Sequence, residues 1–108
     1  MLELYAGCVR LSGAALDVGL EVAAPIELSR GPWCDLHDDR VFAVVKRWTC
    51  ERRVWYARLG TPCQAWSCAT PSANRPCHLA TGELAAHRIC EIVRLRRRFR
   101  IHCPVENP

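Results

Sequence analysis

Residues 2–28 read LELYAGCVRLSGAALDVGLEVAAPIEL, and the fold class turns on this stretch. Leu2–Ala6 is a short apolar run that stops at Gly7, the pattern of a buried first strand. Leu11, Ala14, Ala15, Val18 and Leu20 then recur at roughly helical spacing, and Gly19 is placed to end that helix. Glu21–Leu28 predicts a second strand, in which Pro25 is tolerable at a bulge or an edge. Strand, helix and strand in close succession favour parallel pairing through a crossover helix.

Working outward, Ser29–Trp33 reads as a turn and Trp33–Leu36 as a brief third strand. Asp38 or Asp39 can cap a helix whose apolar side is Val41, Val44, Val45 and Trp48. Val54–Leu59 is a β-rich run closed by Gly60-Thr61-Pro62. Residues 64–81, with their alanines, prolines, serines and threonines, predict a loop. Thr81 then caps a helix from Gly82 to about Arg97, with Leu84, Ala85, Arg88, Ile89, Ile92 and Val93 along one side. Phe99–Val105 returns to strand. Strands alternating with helices indicate an α/β domain, a parallel sheet with crossover helices. Leu2–Ala6 is expected at its centre, flanked by Val54–Leu59 and the strand over 22–28. Ligands of such sheets sit beyond the carboxyl ends of the strands. Tyr5-Ala6-Gly7, Glu27, Asp35, Thr61-Pro62-Cys63 and Glu106 all stand at predicted strand ends. Five strands and three helices make an incomplete doubly wound sheet, and a chain ending on a strand's carboxyl end reads as truncated.

The chain has 108 residues, half of them apolar and 24% charged, which suits one small globular domain or part of one. No run reaches the about 18 apolar residues of a membrane span, and the N-terminus lacks the pattern of a secretory signal. An intracellular protein is expected, nuclear if eukaryotic, with no membrane partner. The net charge is +4, yet five arginines fall within Arg94–Arg100 without an acid among them. That run reads either as a solvated helix end favoured by the helix dipole or as a phosphate-facing patch. The eight cysteines, at 8, 34, 50, 63, 68, 77, 90 and 103, contain no C-x2-C pair. Zinc-ribbon patterns therefore fail, no metal ligand is assigned, and most cysteines are expected to be reduced and buried. Cys8, Cys50, Cys90 and Cys103 in particular fall within predicted packed elements.

Three motifs, in order and at their spacing, resemble the DNA cytosine-5 methyltransferase family. LELYAGCVRLSG is similar to its first motif, a strand followed by Phe-Ala-Gly-x-Gly-Gly. GTPCQAWS resembles its nucleophile loop, Gly-x-Pro-Cys-Gln-x-Phe/Trp-Ser, and the closing VENP resembles its Glu-Asn-Val motif. Cys63 stands 56 residues after Gly7, and Glu106 another 43 residues on. The resemblance covers almost the whole chain, residues 1–108, but only the first part of a family member. It implies a Rossmann-like, S-adenosylmethionine-dependent methyltransferase sheet, incomplete here. It implies a flipped-out cytosine of DNA as substrate. Cys63 would supply the thiolate that adds to C6 of the ring and activates C5, and Glu106 the carboxyl group at N3. On the cofactor side the resemblance points to Tyr5, Ala6 and Gly7 in the loop after strand one. Glu27 would accept from the ribose hydroxyls and Asp35 from the adenine amino group.

Three departures stand out, the first being that the closing motif ends in Pro108 where the family has valine. Val9-Arg10 occupies the place of the family's Gly-Gly, and a β-branched residue there narrows the backbone's choices and crowds the cofactor. The family's arginine-bearing motif, target-recognition domain and closing segment have no counterpart in these residues. Two other readings stay open: a catalytically inactive remnant or binding module of the same fold, such as one derived from a mobile element, or a small Cys/His metal module. Cys77-His78 and His87-x2-Cys90 could supply ligands for the latter, with Arg94–Arg100 meeting nucleic acid.

Overall fold

A computed structural model describes residues 1–61 and 75–105, of which residues 75–79 are described by backbone alone. Strand β1 (Leu2–Leu4) leads to helix α1 (Arg10–Asp17), two 3-10 turns (Leu28–Arg30 and Pro32–Cys34) and helix α2 (Asp39–Cys50). Strand β2 (Ala57–Leu59) and the long helix α3 (Arg75–Phe99) complete the elements.

β1 and β2 pair in parallel, with Leu2 opposite Ala57, Glu3 opposite Arg58 and Leu4 opposite Leu59. Single parallel bridges widen the sheet on both sides: Leu4 with Ile26, Tyr56 with His102, and Leu59 with Val105. β1 therefore lies between Ile26 and β2, the interior position that its uninterrupted burial requires. Side chains alternate across a strand, and the two faces of β1 meet different partners. Leu2 and Leu4 join Phe42 and Val45 of α2 and Ile89 and Ile92 of α3 in the core. Glu3 points the other way and accepts hydrogen bonds from the N–H and Oγ of Ser12 in α1, at 3.0 and 2.6 Å. Helices thus cover both faces of a small parallel sheet, which is an α/β architecture.

Several sequence expectations are corrected. Trp33–Leu36 forms no strand, because Pro32 starts a 3-10 turn and Trp33 stays 72% exposed. The 21–28 strand contracts to the bridge at Ile26, and the 99–105 strand to bridges at His102 and Val105, since Phe99 still belongs to α3. Thr81 caps nothing. The helix begins at Arg75, where Pro76 fits the first turn without wasting a donor, so Thr81 and Gly82 lie inside it. Cys8, Cys50 and Cys90 are exposed rather than buried, whereas Cys34 is buried. On α1 only Ser12 and Ala15 are buried, and Val18 is 73% exposed.

The helix signals that do hold are local ones. Asp38 caps α2, accepting from the Arg40 N–H at 2.7 Å. Bonding to Arg40 pulls its carboxyl down to about 2. Gly19, at φ 80°, closes α1 through bonds from Gly19 N–H to Leu16 and from Leu20 N–H to Ala15. Among the described residues, no helix is long and apolar enough to cross a membrane.

Candidate functional site

The carboxyl ends of β1 and of the Ile26 segment form one rim. Beyond Leu4 the backbone leaves the sheet through three left-handed residues in five, Tyr5, Gly7 and Val9, each at φ 53°. Glycine adopts this conformation freely, whereas a β-branched residue does so only under strain. Val9 sits there as the residue before α1 and provides no side-chain cap. At Gly7 an added Cβ would meet nothing within 4 Å, so the demand for glycine is conformational. That N–H donates to Oε2 of Glu27 across the rim, at 2.9 Å. Ala6 is buried beneath, its N–H reaching the Ile26 carbonyl at 3.4 Å.

A cavity of about 180 Å³ opens beside this contact, and Tyr5, Glu27, Asp35, His37 and Thr81 are among the residues that line it. Asp35 Oδ1 accepts from the His37 N–H at 2.8 Å and lies 3.1 Å from His37 Nδ1. His37 Nε2 lies 3.2 Å from the Thr81 carbonyl, so the imidazole ties this loop to α3. The Tyr5 ring meets His37 edge-on at 6.3 Å. The Tyr5 hydroxyl is buried and has no hydrogen-bond partner among the described residues. Burial, first of all, pushes its pKa up to about 12; Asp35 and Glu27 add to the shift and Arg88 opposes it.

Arg88 holds the loop from below. Its guanidinium donates to the carbonyls of Leu36, His37 and Asp38 and to Asp39 Oδ1 at 2.6 Å, and it lies 4.6 Å from the Phe42 ring centroid. Sequence periodicity assigned Arg88 to a helix face without this role. His37, Glu3, Ser12 and Arg58 went unnoticed altogether. Only Glu3, a charge between two leucines in an apolar strand, carried a local signal. Its Oε1 accepts from Arg58 Nη1 at 2.8 Å, closing a buried ion pair behind the rim.

Tyr5, Glu27 and Asp35 thus line one cavity, with Gly7 bonded to Glu27 at its edge. Cys63 and Glu106 lie outside the described residues, as do the side chains of Cys77 and His78. Among the described residues, no group of three or more His, Cys, Asp or Glu is arranged to hold a metal ion. The arginine run is also divided: Arg94, Arg97, Arg98 and Arg100 are exposed, while Arg96 is 1% exposed and donates to the Val54 carbonyl at 3.0 Å. Two carboxylates beside an aromatic ring can accept from hydroxyl or amino groups of a small polar ligand. The cavity is smaller than the roughly 300 Å³ at which whole-ligand pockets begin. No family model, curated protein or solved structure matches this chain.

Proposed function

We propose that this chain is a DNA cytosine-5 methyltransferase-like domain, or the first part of one, which binds the nucleoside end of S-adenosylmethionine at the Tyr5–Gly7 rim. The observation that carries the reading is the meeting of Gly7 and Glu27, from two neighbouring sheet segments, beside the cavity that Asp35 and Tyr5 also line. Order in the sheet supports it. Cys63 follows four residues after Leu59, and Glu106 directly follows Val105, the bridge partner of Leu59.

In this reading Glu27 accepts from the ribose hydroxyls while staying oriented by the Gly7 N–H. Asp35 is steered by His37 and accepts from the adenine amino group. Tyr5 packs its ring along the nucleoside. The cofactor supplies an electrophilic methyl group. Cys63 adds its thiolate to C6 of the flipped cytosine, which makes C5 nucleophilic, and it leaves as a thiolate when the C5 proton is lost. Glu106 stabilises the ring at N3.

The strained Val9 and the small cavity favour a second reading: the same fold retained as a binding module without turnover. Calorimetry with S-adenosylhomocysteine tests the shared part. Glu27→Gln keeps an acceptor for the Gly7 N–H but loses the carboxylate, and should weaken binding about tenfold. Unchanged affinity, or no binding by the parent chain, refutes the rim assignment. Trapping of an adduct on DNA containing 5-fluorocytosine, lost in Cys63→Ser, separates the enzyme from the binding module.

A further inference from the structure

The pole opposite the rim is strongly basic. Helices α2 and α3 run side by side in the same direction. Arg88 reaches the start of α2, Lys46 pairs with Glu91 at 2.9 Å, and Arg52 lies 5.7 Å from the Phe99 ring at the far end. Their carboxyl ends therefore meet at the edge where β2 and the 102–105 segment begin, away from Tyr5 and Glu27.

All three helices stop in the same way, with the N–H of the residue after a left-handed one returning to a carbonyl five residues back. The bonds are Leu20 to Ala15, Arg53 to Trp48 and Ile101 to Arg96. The left-handed residue of this motif is usually glycine. In α1 it is Gly19, but in α2 it is Arg52 (φ 56°) and in α3 Arg100 (φ 54°). Two arginines are thus held in a conformation unfavourable to them, side by side at one pole. Strain retained in this way is a pointer to function.

The charge there is uncompensated. Glu51 is engaged by Arg53 at 2.6 Å and faces Arg47 at 4.0 Å. Arg52, Arg94, Arg97, Arg98 and Arg100 are exposed, and none pairs with a carboxylate among the described residues. Helix dipoles account for a cation in each last turn, yet not for arginines beyond both ends. Fourteen of the 15 basic residues are arginine, whose planar fork suits phosphodiester oxygens. Phe99, an aromatic ring at this pole, lies against Arg52 and Arg98, so it is covered by cations rather than presented to solvent as an apolar surface.

We infer that this pole, built from Arg52, Arg94, Arg97, Arg98 and Arg100, binds the sugar–phosphate backbone of nucleic acid without reading its sequence. The inference is independent of the methyltransferase reading and needs no cofactor.

Fluorescence anisotropy of the full chain with labelled duplex DNA, and with the matching duplex RNA, tests it between about 50 and 200 mM salt. With three or four phosphates engaged, log affinity should fall against log salt with a slope of about −3. Arg97→Gln/Arg98→Gln should lose about tenfold or more and flatten the slope by roughly 2. Arg30→Gln, which removes one exposed charge elsewhere, should leave binding unchanged. Arg52→Gly/Arg100→Gly should raise the melting temperature while weakening binding, a combination that a purely structural role does not produce. Tighter binding of either duplex type supports the inference and names the source. Absence of duplex binding at 50 mM salt overturns it, as do variants binding like the parent. So does preference for phosphatidylserine vesicles over duplexes.

Discussion

Val9 offers the sharpest test of the rim. Its φ of 53° puts a β-branched residue in left-handed backbone, which costs an L-residue about 1–2 kcal/mol. Truncation at this half-buried position also removes side-chain contacts, so the informative comparison is between Val9→Ala and Val9→Gly. Both lose the branched side chain, but only glycine escapes the backbone strain. In ordinary structure glycine is less stable than alanine by about 0.5–1 kcal/mol, because it loses more freedom on folding. Here the order should invert, with Val9→Gly more stable than Val9→Ala by about 0.5–1 kcal/mol. In urea denaturation followed by circular dichroism, an m of about 2 kcal/mol/M makes that a midpoint difference of roughly 0.3–0.5 M. Alanine equal to or above glycine would refute the left-handed assignment. Calorimetry adds a functional readout: if the branched carbon crowds the cofactor loop, Val9→Gly binds S-adenosylhomocysteine more tightly than the parent.

Arg58→Met should be among the most damaging single changes, costing about 3–5 kcal/mol in chemical denaturation. It strands Glu3, 1% exposed, with Ser12 as its remaining partner; a loss below about 1 kcal/mol would mean that Glu3 reaches water. Asp38→Ala should lower the melting temperature at neutral pH by removing the α2 cap. Because the folded carboxyl is held down to about 2 against an ordinary 3.8, the parent's advantage is fully present above about pH 4. It fades as pH falls toward 2, and a pH-independent gap would contradict the cap. Alkylation mapped by mass spectrometry should label Cys8, Cys50 and Cys90 readily. Cys34 and Cys103 should lag, the first because it is buried and the second because burial also pushes its thiol up; uniform labelling would contradict this packing.

Periodicity and caps alone made much of the architecture legible. The apolar run of Leu2–Leu4, Gly19 behind α1, Asp38 ahead of α2 and the Ala85, Ile89, Ile92 spacing of α3 are statements about neighbours within a turn or a pleat. Local sequence carries such preferences directly. It also brought Tyr5, Gly7 and Glu27 to the ends of sheet segments, while Asp35, expected at the end of a strand that does not form, reaches the same cavity from the residue after a 3-10 turn. The roles carried over to Cys63 and Glu106 fall beyond the described residues. Local reading failed where the outcome depends on partners far along the chain. Thr81 looked like a cap because hydroxyls suit caps, yet the helix had already begun at Arg75. Five arginines read as one run, either a solvated helix end or a phosphate-facing patch, yet packing buries Arg96 and leaves the others exposed. Glu3 is 55 residues from Arg58 and Arg88 is 49 from Asp39. A buried charge is tolerable only once its counterpart is in place. Sequence could therefore show which segments form, while the tertiary structure decided which charges go inside, which faces meet, and which pole is left basic.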